Sequence, residues 1–409
     1  MDKGYLIVTV YKNNVASPIS GAQIIIRGDN YEQTFTTNES GKTPKIELDA
    51  PLKKYSLTPQ TEVRPYSIYQ VEASKTGYET TIINGVQIFP DVTSLQDVYL
   101  NETSQREETK DEVKTIDIPP HSLWEESQQN TSRKGSINDF RVYPQVFIPE
   151  YVIVHNGTPT DTTASNYYVP FTDYIKNVAS GEIYATWPTE SLRANIYAIL
   201  SFTMNRIYTE WYKSQGYNFT VTSLPKYDQL YTNNRTIFKS ISDVVDDIFY
   251  YHIELTNKNY PLLAQYDDGV NVNNPGWLSQ WGTVTLANQG YSALEMLKYY
   301  YTDGLTLNSA NEIEGLPLSF PGYNLEEKMC NEAVQKIQIM LNTISGSYPR
   351  IPKISPADGR YQNSTTESVK VFQEIFNLPI TGIVDFNTWF KISYIYIAVS
   401  KMLQGIVKN

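Results

Sequence analysis

Glu182 lies in the run Val178-Ala-Ser-Gly-Glu182-Ile-Tyr184-Ala-Thr-Trp187-Pro188, where Val178, Ile183, Tyr184 and Trp187 offer an apolar wall. A carboxyl group behind such a wall keeps its proton toward neutral pH, donates it as a general acid and then serves as a general base. The same residues also fit an exposed glutamate in a turn after Gly181. Two further acids are near in sequence: Asp173, and Glu190, which falls in the first turn of the helix expected after Pro188. A negative charge there is favoured by the helix dipole.

Metal and thiol chemistry have little to draw on. The three histidines, His121, His155 and His252, share no ligand spacing, and Cys330 is the only cysteine. Neither a disulfide within the chain nor a Cys/His zinc cage is expected, and no cofactor is implied. Cys330, close to the start of a C-terminal helix, reads as a small core residue.

These residues need a scaffold, and the 409-residue chain is long enough for several domains. A net charge of −11 argues against nucleic acid as a partner. The 33 tyrosines suit either sugar-stacking surfaces or simply a tyrosine-rich β protein. No apolar run approaches the length of a membrane span, and the first residues alternate like a strand rather than a secretory signal.

Residues 1–100 alternate as short strands between turns at Pro18, Gly21, Asn38–Gly41 and Lys75–Tyr78, which predicts a β-sandwich. Residues 101–145 are polar enough to read as a linker, with Ile116, Ile118, Leu123 and Trp124 as its apolar anchors. Residues 146–322 read as an α+β domain. Its long helix carries Leu192, Ile196, Ile199, Leu200 and Ile207 on one stripe, with Thr189 as the expected cap, and Ser292-Ala-Leu-Glu295 predicts a capping box on another. Residues 323–409 read as a helical unit, with Leu325, Met329, Ile337, Leu341 and Ile344 on one helix and Val369, Phe372 and Phe376 on a second.

Several stretches resemble known families. Pro18-Ile-Ser-Gly-Ala-Gln-Ile, Thr37-Asn-Glu-Ser-Gly41 and Gly77-Tyr78 resemble a carboxypeptidase-regulatory-like domain. Tyr174 to Glu182, Trp187-Pro188 and Glu190-Ser-Leu-Arg-Ala-Asn195 resemble the stage II sporulation protein D family of lytic transglycosylases. So do Ser279-Gln-Trp-Gly282, Gln289-Gly290 and Leu297-Lys-Tyr-Tyr-Tyr301. Val334-Gln335, Gln338, Asp358-Gly359, Phe372-Gln373, Gly382 and Thr388-Trp389 resemble a three-helix peptidoglycan-binding domain. The order of the three resembles clostridial spore cortex-lytic enzymes of the SleC type.

The resemblance implies a multidomain chain with an N-terminal β-sandwich, a central α+β catalytic domain and a C-terminal three-helix peptidoglycan-binding domain. It implies Glu182 as the single acid/base of a lytic transglycosylase acting on peptidoglycan, with Ser279, Gln280, Trp281, Gln229 and Tyr231 lining the glycan groove. A hydrolytic muramidase using Asp173 or Glu190 as second carboxylate, and an inactive wall-binding scaffold, are the alternatives. The family's Cys/His cluster is replaced here by Ser223-Leu-Pro-Lys-Tyr-Asp-Gln229-Leu-Tyr231, and its Gly-His-Gly by Asn273-Asn-Pro-Gly276, so no metal is carried over. The family's helix arginine aligns with Leu200, leaving Arg206 as a candidate stand-in. Enzymes of the SleC type are stored as precursors and activated by a germination protease. That implies a spore protein, made in the mother cell without a signal peptide, with the activating cut expected between Gln128 and Glu150, at Gln145–Val146. The anchors Ile116, Ile118, Leu123 and Trp124 are then expected in or near the groove.

Overall fold

The structure, a computed structural model, describes residues 1–103, 113–124, 143–256 and 258–407. The N-terminal strands are β1 (Asp2–Tyr11), β2 (Gln23–Gly28), β3 (Tyr31–Thr36), β4 (Ile46–Ala50), β5 (Ser67–Ser74), β6 (Thr80–Ile88), β7 (Thr93–Tyr99) and β8 (Val113–Asp117). One sheet runs β3-β2-β5-β6-β8; the other contains β4, β1 and β7. Alternate residues such as Leu6, Val8, Val10, Ile24, Ile26, Val71 and Ile83 fill the space between them. Gly41 is required at its turn: its φ is +73°, and a Cβ there would lie 2.6 Å from the Val10 carbonyl oxygen.

The segment that reads as a linker begins as structure. β8 pairs in parallel with β6, from Thr80↔Val113 to Asn84↔Asp117, and Ile118 is buried in the sandwich. An edge strand with one open side needs few apolar residues, so its polar composition concealed it. The polar stretch Ser127–Ser136 and the early part of the cut window lie outside the described residues.

The central part contains α1 (Phe171–Glu182), α2 (Thr189–Tyr208), α3 (Lys239–Ile248), α4 (Gln280–Asn288) and α5 (Ala293–Tyr300). A three-stranded sheet of Asn166–Pro170, Tyr151–His155 and Val221–Thr222 lies with them. Helix α2 is the hub, touching α1, α3, α4 and α5. It is therefore buried on nearly every side rather than on one stripe, and its polar residues find internal partners: Asn195 donates to Ser191 O and Thr283 Oγ1, and Ser201 to Leu262 O. Thr189 is not a cap; Pro188 occupies that position and makes no side-chain bond. The capping box at Ser292 and Glu295 is present.

The C-terminal unit has three helices, α6 (Glu332–Ile344), α7 (Asn363–Ile375) and α8 (Phe386–Val407). Asn331 caps α6 by accepting from Val334 N, so Leu325 and Met329 precede the helix instead of riding on it. Leu325 bridges to Val384, and Cys330, expected in the core, is exposed in an extended segment that bridges to Arg360. Among the described residues no helix is long and apolar enough to cross a membrane.

The units are not beads on a string. Strand Ile237–Phe238 of the central part pairs with β7 and extends the N-terminal sheet, while Tyr66, Phe89 and Val92 join the central core. Phe390 packs on Phe249, ring centroids 4.5 Å apart, and Ala16 is buried in the core of the C-terminal unit.

Candidate active site

Glu182 ends α1. Ile183 is extended, at φ −133° and ψ 144°, so the helix stops with Glu182's side chain turned into the domain, 4% exposed. Two donors grip its carboxylate: Leu230 N at 2.8 Å from Oε1, and the Tyr266 hydroxyl at 2.5 Å from Oε2. A solvated turn residue has neither the burial nor the partners. Burial and the two donors together fix the position and orientation of the carboxylate.

The loop that supplies Leu230 N is itself built around a charge. Asp228 is fully buried and accepts from Arg206 Nε at 3.0 Å, Tyr212 OH at 2.7 Å, and Thr222 N and Oγ1 at 2.8 and 2.9 Å. Arg206 also lies over the Trp211 ring, so the structure uses it to pin this loop and not to face Glu182. Gln229 is fully buried, accepting from Tyr174 OH and Thr203 Oγ1 and donating to Ile199 O and the Tyr266 oxygen. It thereby fixes the hydroxyl that holds Glu182. Tyr231 stacks on Tyr174 at 5.8 Å and opens toward a separate cavity. Asp228→Ala would strand the buried guanidinium and the Tyr212 hydroxyl. It is expected to cost about 3–5 kcal/mol of stability, read by thermal or denaturant unfolding.

The Ser279-Gln-Trp run acts through neighbours. Strand Leu278–Ser279 pairs in parallel with Tyr266–Asp267, which sets the position of Tyr266. Ser279 Oγ caps α4 by accepting from Gly282 N. Gly269, at φ +74°, is needed beneath it, since a Cβ would fall 1.7 Å from that oxygen. Gln280 is buried, and Trp281 packs on Trp187 at 4.9 Å and Tyr184 at 5.8 Å. Asp173 is not close to this centre: nine residues along α1 is about 13 Å at about 1.5 Å per residue. Glu190 is engaged elsewhere, accepting from Ala293 N at the start of α5.

Sequence reasoning missed Tyr266, and no spacing pointed to it; only its place beside Ser279 does. Removing its hydroxyl takes away one charge-assisted hydrogen bond. Tyr266→Phe is expected to lower kcat about 10- to 100-fold with little change in KM, in a glycan-release assay.

The aromatic wall is covered. The last carbonyls of a helix have no partner within it; here Gly181 O accepts from Ser122 Oγ at 2.8 Å and Ser122 N at 3.2 Å, and His121 Nε2 meets Ile183 O at 3.3 Å. The His121 ring lies 4.6 Å from Tyr184, and burial, aided by Arg235, lowers its pKa to about 3, keeping it neutral. Leu123 and Trp124 pack on the central core. From the N-terminal unit, Ser56 O accepts from Trp187 Nε1 at 3.0 Å. Of the four apolar anchors, Leu123 and Trp124 reach this region, whereas Ile116 and Ile118 belong to the sandwich. Among the described residues no group of His, Cys, Asp and Glu is arranged to hold a metal ion.

Residues 330–392 match the family described as "Putative peptidoglycan binding domain". The chain thus carries a C-terminal peptidoglycan-binding domain, and peptidoglycan is its partner. No curated protein matches the chain. Among solved structures, the SleB N-terminal domain is 22% identical with a TM-score of 0.17, covering 19% of this chain and 99% of that one. The Bacillus anthracis TIE protein is 14% identical with a TM-score of 0.18, over 25% of this chain and 17% of that one. Catechol 1,2-dioxygenase from Acinetobacter is 11% identical with a TM-score of 0.18, over 28% of this chain and 59% of that one. At such scores none of the three carries an argument.

Proposed function

We propose that this chain is the precursor of a peptidoglycan lytic transglycosylase that cleaves N-acetylmuramic–N-acetylglucosamine bonds of the spore cortex during germination. The carrying observation is the buried Glu182, its carboxylate gripped by Leu230 N and the Tyr266 hydroxyl. Most glycosidases need two carboxylates about 5–9.5 Å apart. Asp173 is too far along α1 and Glu190 is engaged by α5, which disfavours the muramidase alternative with either partner. One carboxyl suffices when the substrate brings its own nucleophile. Glu182 protonates the glycosidic oxygen, and the C1–O bond breaks to release the N-acetylglucosamine 4-hydroxyl. The carboxylate then takes the proton from the muramic 6-hydroxyl, whose oxygen bonds to C1. An anhydro ring results, and Glu182 is again protonated. Intramolecular delivery of that hydroxyl is worth about 7–11 kcal/mol in well-oriented cases.

The covered wall supports a stored precursor. A germination protease acting in the connector is the proposed activator. At the Gln145–Val146 bond Gln145 is exposed while Val146 is buried, its N–H donating to Asn311 Oδ1. Mass analysis of digested cortex tests the chemistry. Anhydro-muramic ends are expected; reducing muramic ends would establish hydrolysis, and intact glycan from the activated protein would leave a binding scaffold.

A further inference from the structure

The N-terminal unit also sits on the C-terminal domain. Ala16 is fully buried in that domain's core, Tyr348 donates its hydroxyl to Val15 O, and Lys42 Nζ donates to Asn377 Oδ1 at 2.7 Å. Yet the contact is not close-packed as protein interiors are. Where it meets the central part a cavity of about 390 Å³ opens, lined by Phe376, Asn377, Lys391 and Tyr394 from the C-terminal domain, Lys42 and Asp97 from the N-terminal unit, and Asp173 and Lys176 from the central part. Asp97 is open to solvent-sized space although protein surrounds it.

Rings, an amide and an ammonium left facing polar space are the groups that stack on and hydrogen-bond a sugar. We infer that the face carrying Phe376, Asn377, Lys391 and Tyr394 is the saccharide-binding surface of the peptidoglycan-binding domain, and that the N-terminal unit, docked on it beside the central part, helps to hold it shut. This rests on the peptidoglycan reading of the chain and adds which face binds and what masks it. The N-terminal unit then restrains wall attachment as well as the catalytic centre.

The test is binding of the full chain to insoluble peptidoglycan sacculi, with Glu182→Gln present throughout so that no glycan is cut. Lys42→Ala removes one charge-assisted contact and is expected to raise the bound fraction about five-fold. Ala16→Asp forces a carboxylate into the contact and is expected to raise it at least about ten-fold. Adding Asn377→Gly, which a backbone at φ 58° accepts, or Tyr394→Ala should return either variant to the parent level. Unchanged binding in Lys42→Ala and Ala16→Asp, or binding in the opened variants that ignores Asn377 and Tyr394, overturns the inference. Should Ala16→Asp fail to fold, Lys42→Ala decides alone. Because no cleavage is read, failure here leaves the role of Glu182 untouched, and failure of that role leaves this result standing.

Discussion

Glu182→Gln is expected to remove glycan cleavage while leaving the melting temperature and sacculus binding near those of the parent. The amide keeps the size of the carboxylate, and its oxygen can still accept from Leu230 N or Tyr266 OH. It cannot transfer a proton to the glycosidic oxygen. General acid–base steps contribute about 10²–10⁴-fold, and one residue serving both half-steps loses more than either alone. The measurement is release of soluble muropeptides by the activated protein, compared at equal bound amounts. Parent-level release by this variant would sink the assignment of Glu182. Loss of both release and stability would instead mark the carboxylate as a structural anchor of the Leu230 loop.

Two helices of the C-terminal unit and the capping box at Ser292 are legible because periodicity and caps are local signals, whereas α8 is implied only by the resemblance to a three-helix domain. β8 is not legible, since an edge strand of a sandwich carries no apolar pattern of its own. Cys330 was misplaced because nearness to a helix in sequence says nothing about an extended segment before its cap. At the site, Glu182 is singled out only by the motif around it; its two donors come from a loop and a strand about fifty and eighty residues later. Arg206 shows the same limit. Its charge in a helix gave no hint that a buried Asp228, in a loop lacking the Cys and His of the resembled family, awaited it. An ion pair there organises the backbone that presents Leu230 N. Long-range partners of this kind leave no spacing to read.

Cutting the connector should not by itself activate the protein; removing the N-terminal fragment should. The cover is held by more than the chain that links it. Strand Ile237–Phe238 is paired to β7, Thr236 Oγ1 donates to Gln96 Oε1 at 2.7 Å, Ser56 binds Thr186 and Trp187, and Phe89 lies among Tyr184, Phe238 and His121. A nicked complex with these contacts intact keeps His121 and Ser122 against the end of α1. If the wall is free in about one molecule in a hundred before release, dissociation raises the rate about a hundred-fold. The measurement is muropeptide release by intact protein, by protein nicked between residues 125 and 145, and by nicked protein freed of its N-terminal fragment on a sizing column. The first two are expected to be slow and the third fast, with the purified fragment inhibiting when added back. The freed domain also loses Tyr66, Phe89 and Val92 from its core, so it should melt below the complex. Equal rates from intact and freed protein would rule out a cover. A fast nicked complex would place the whole restraint in the connector and none in the sandwich.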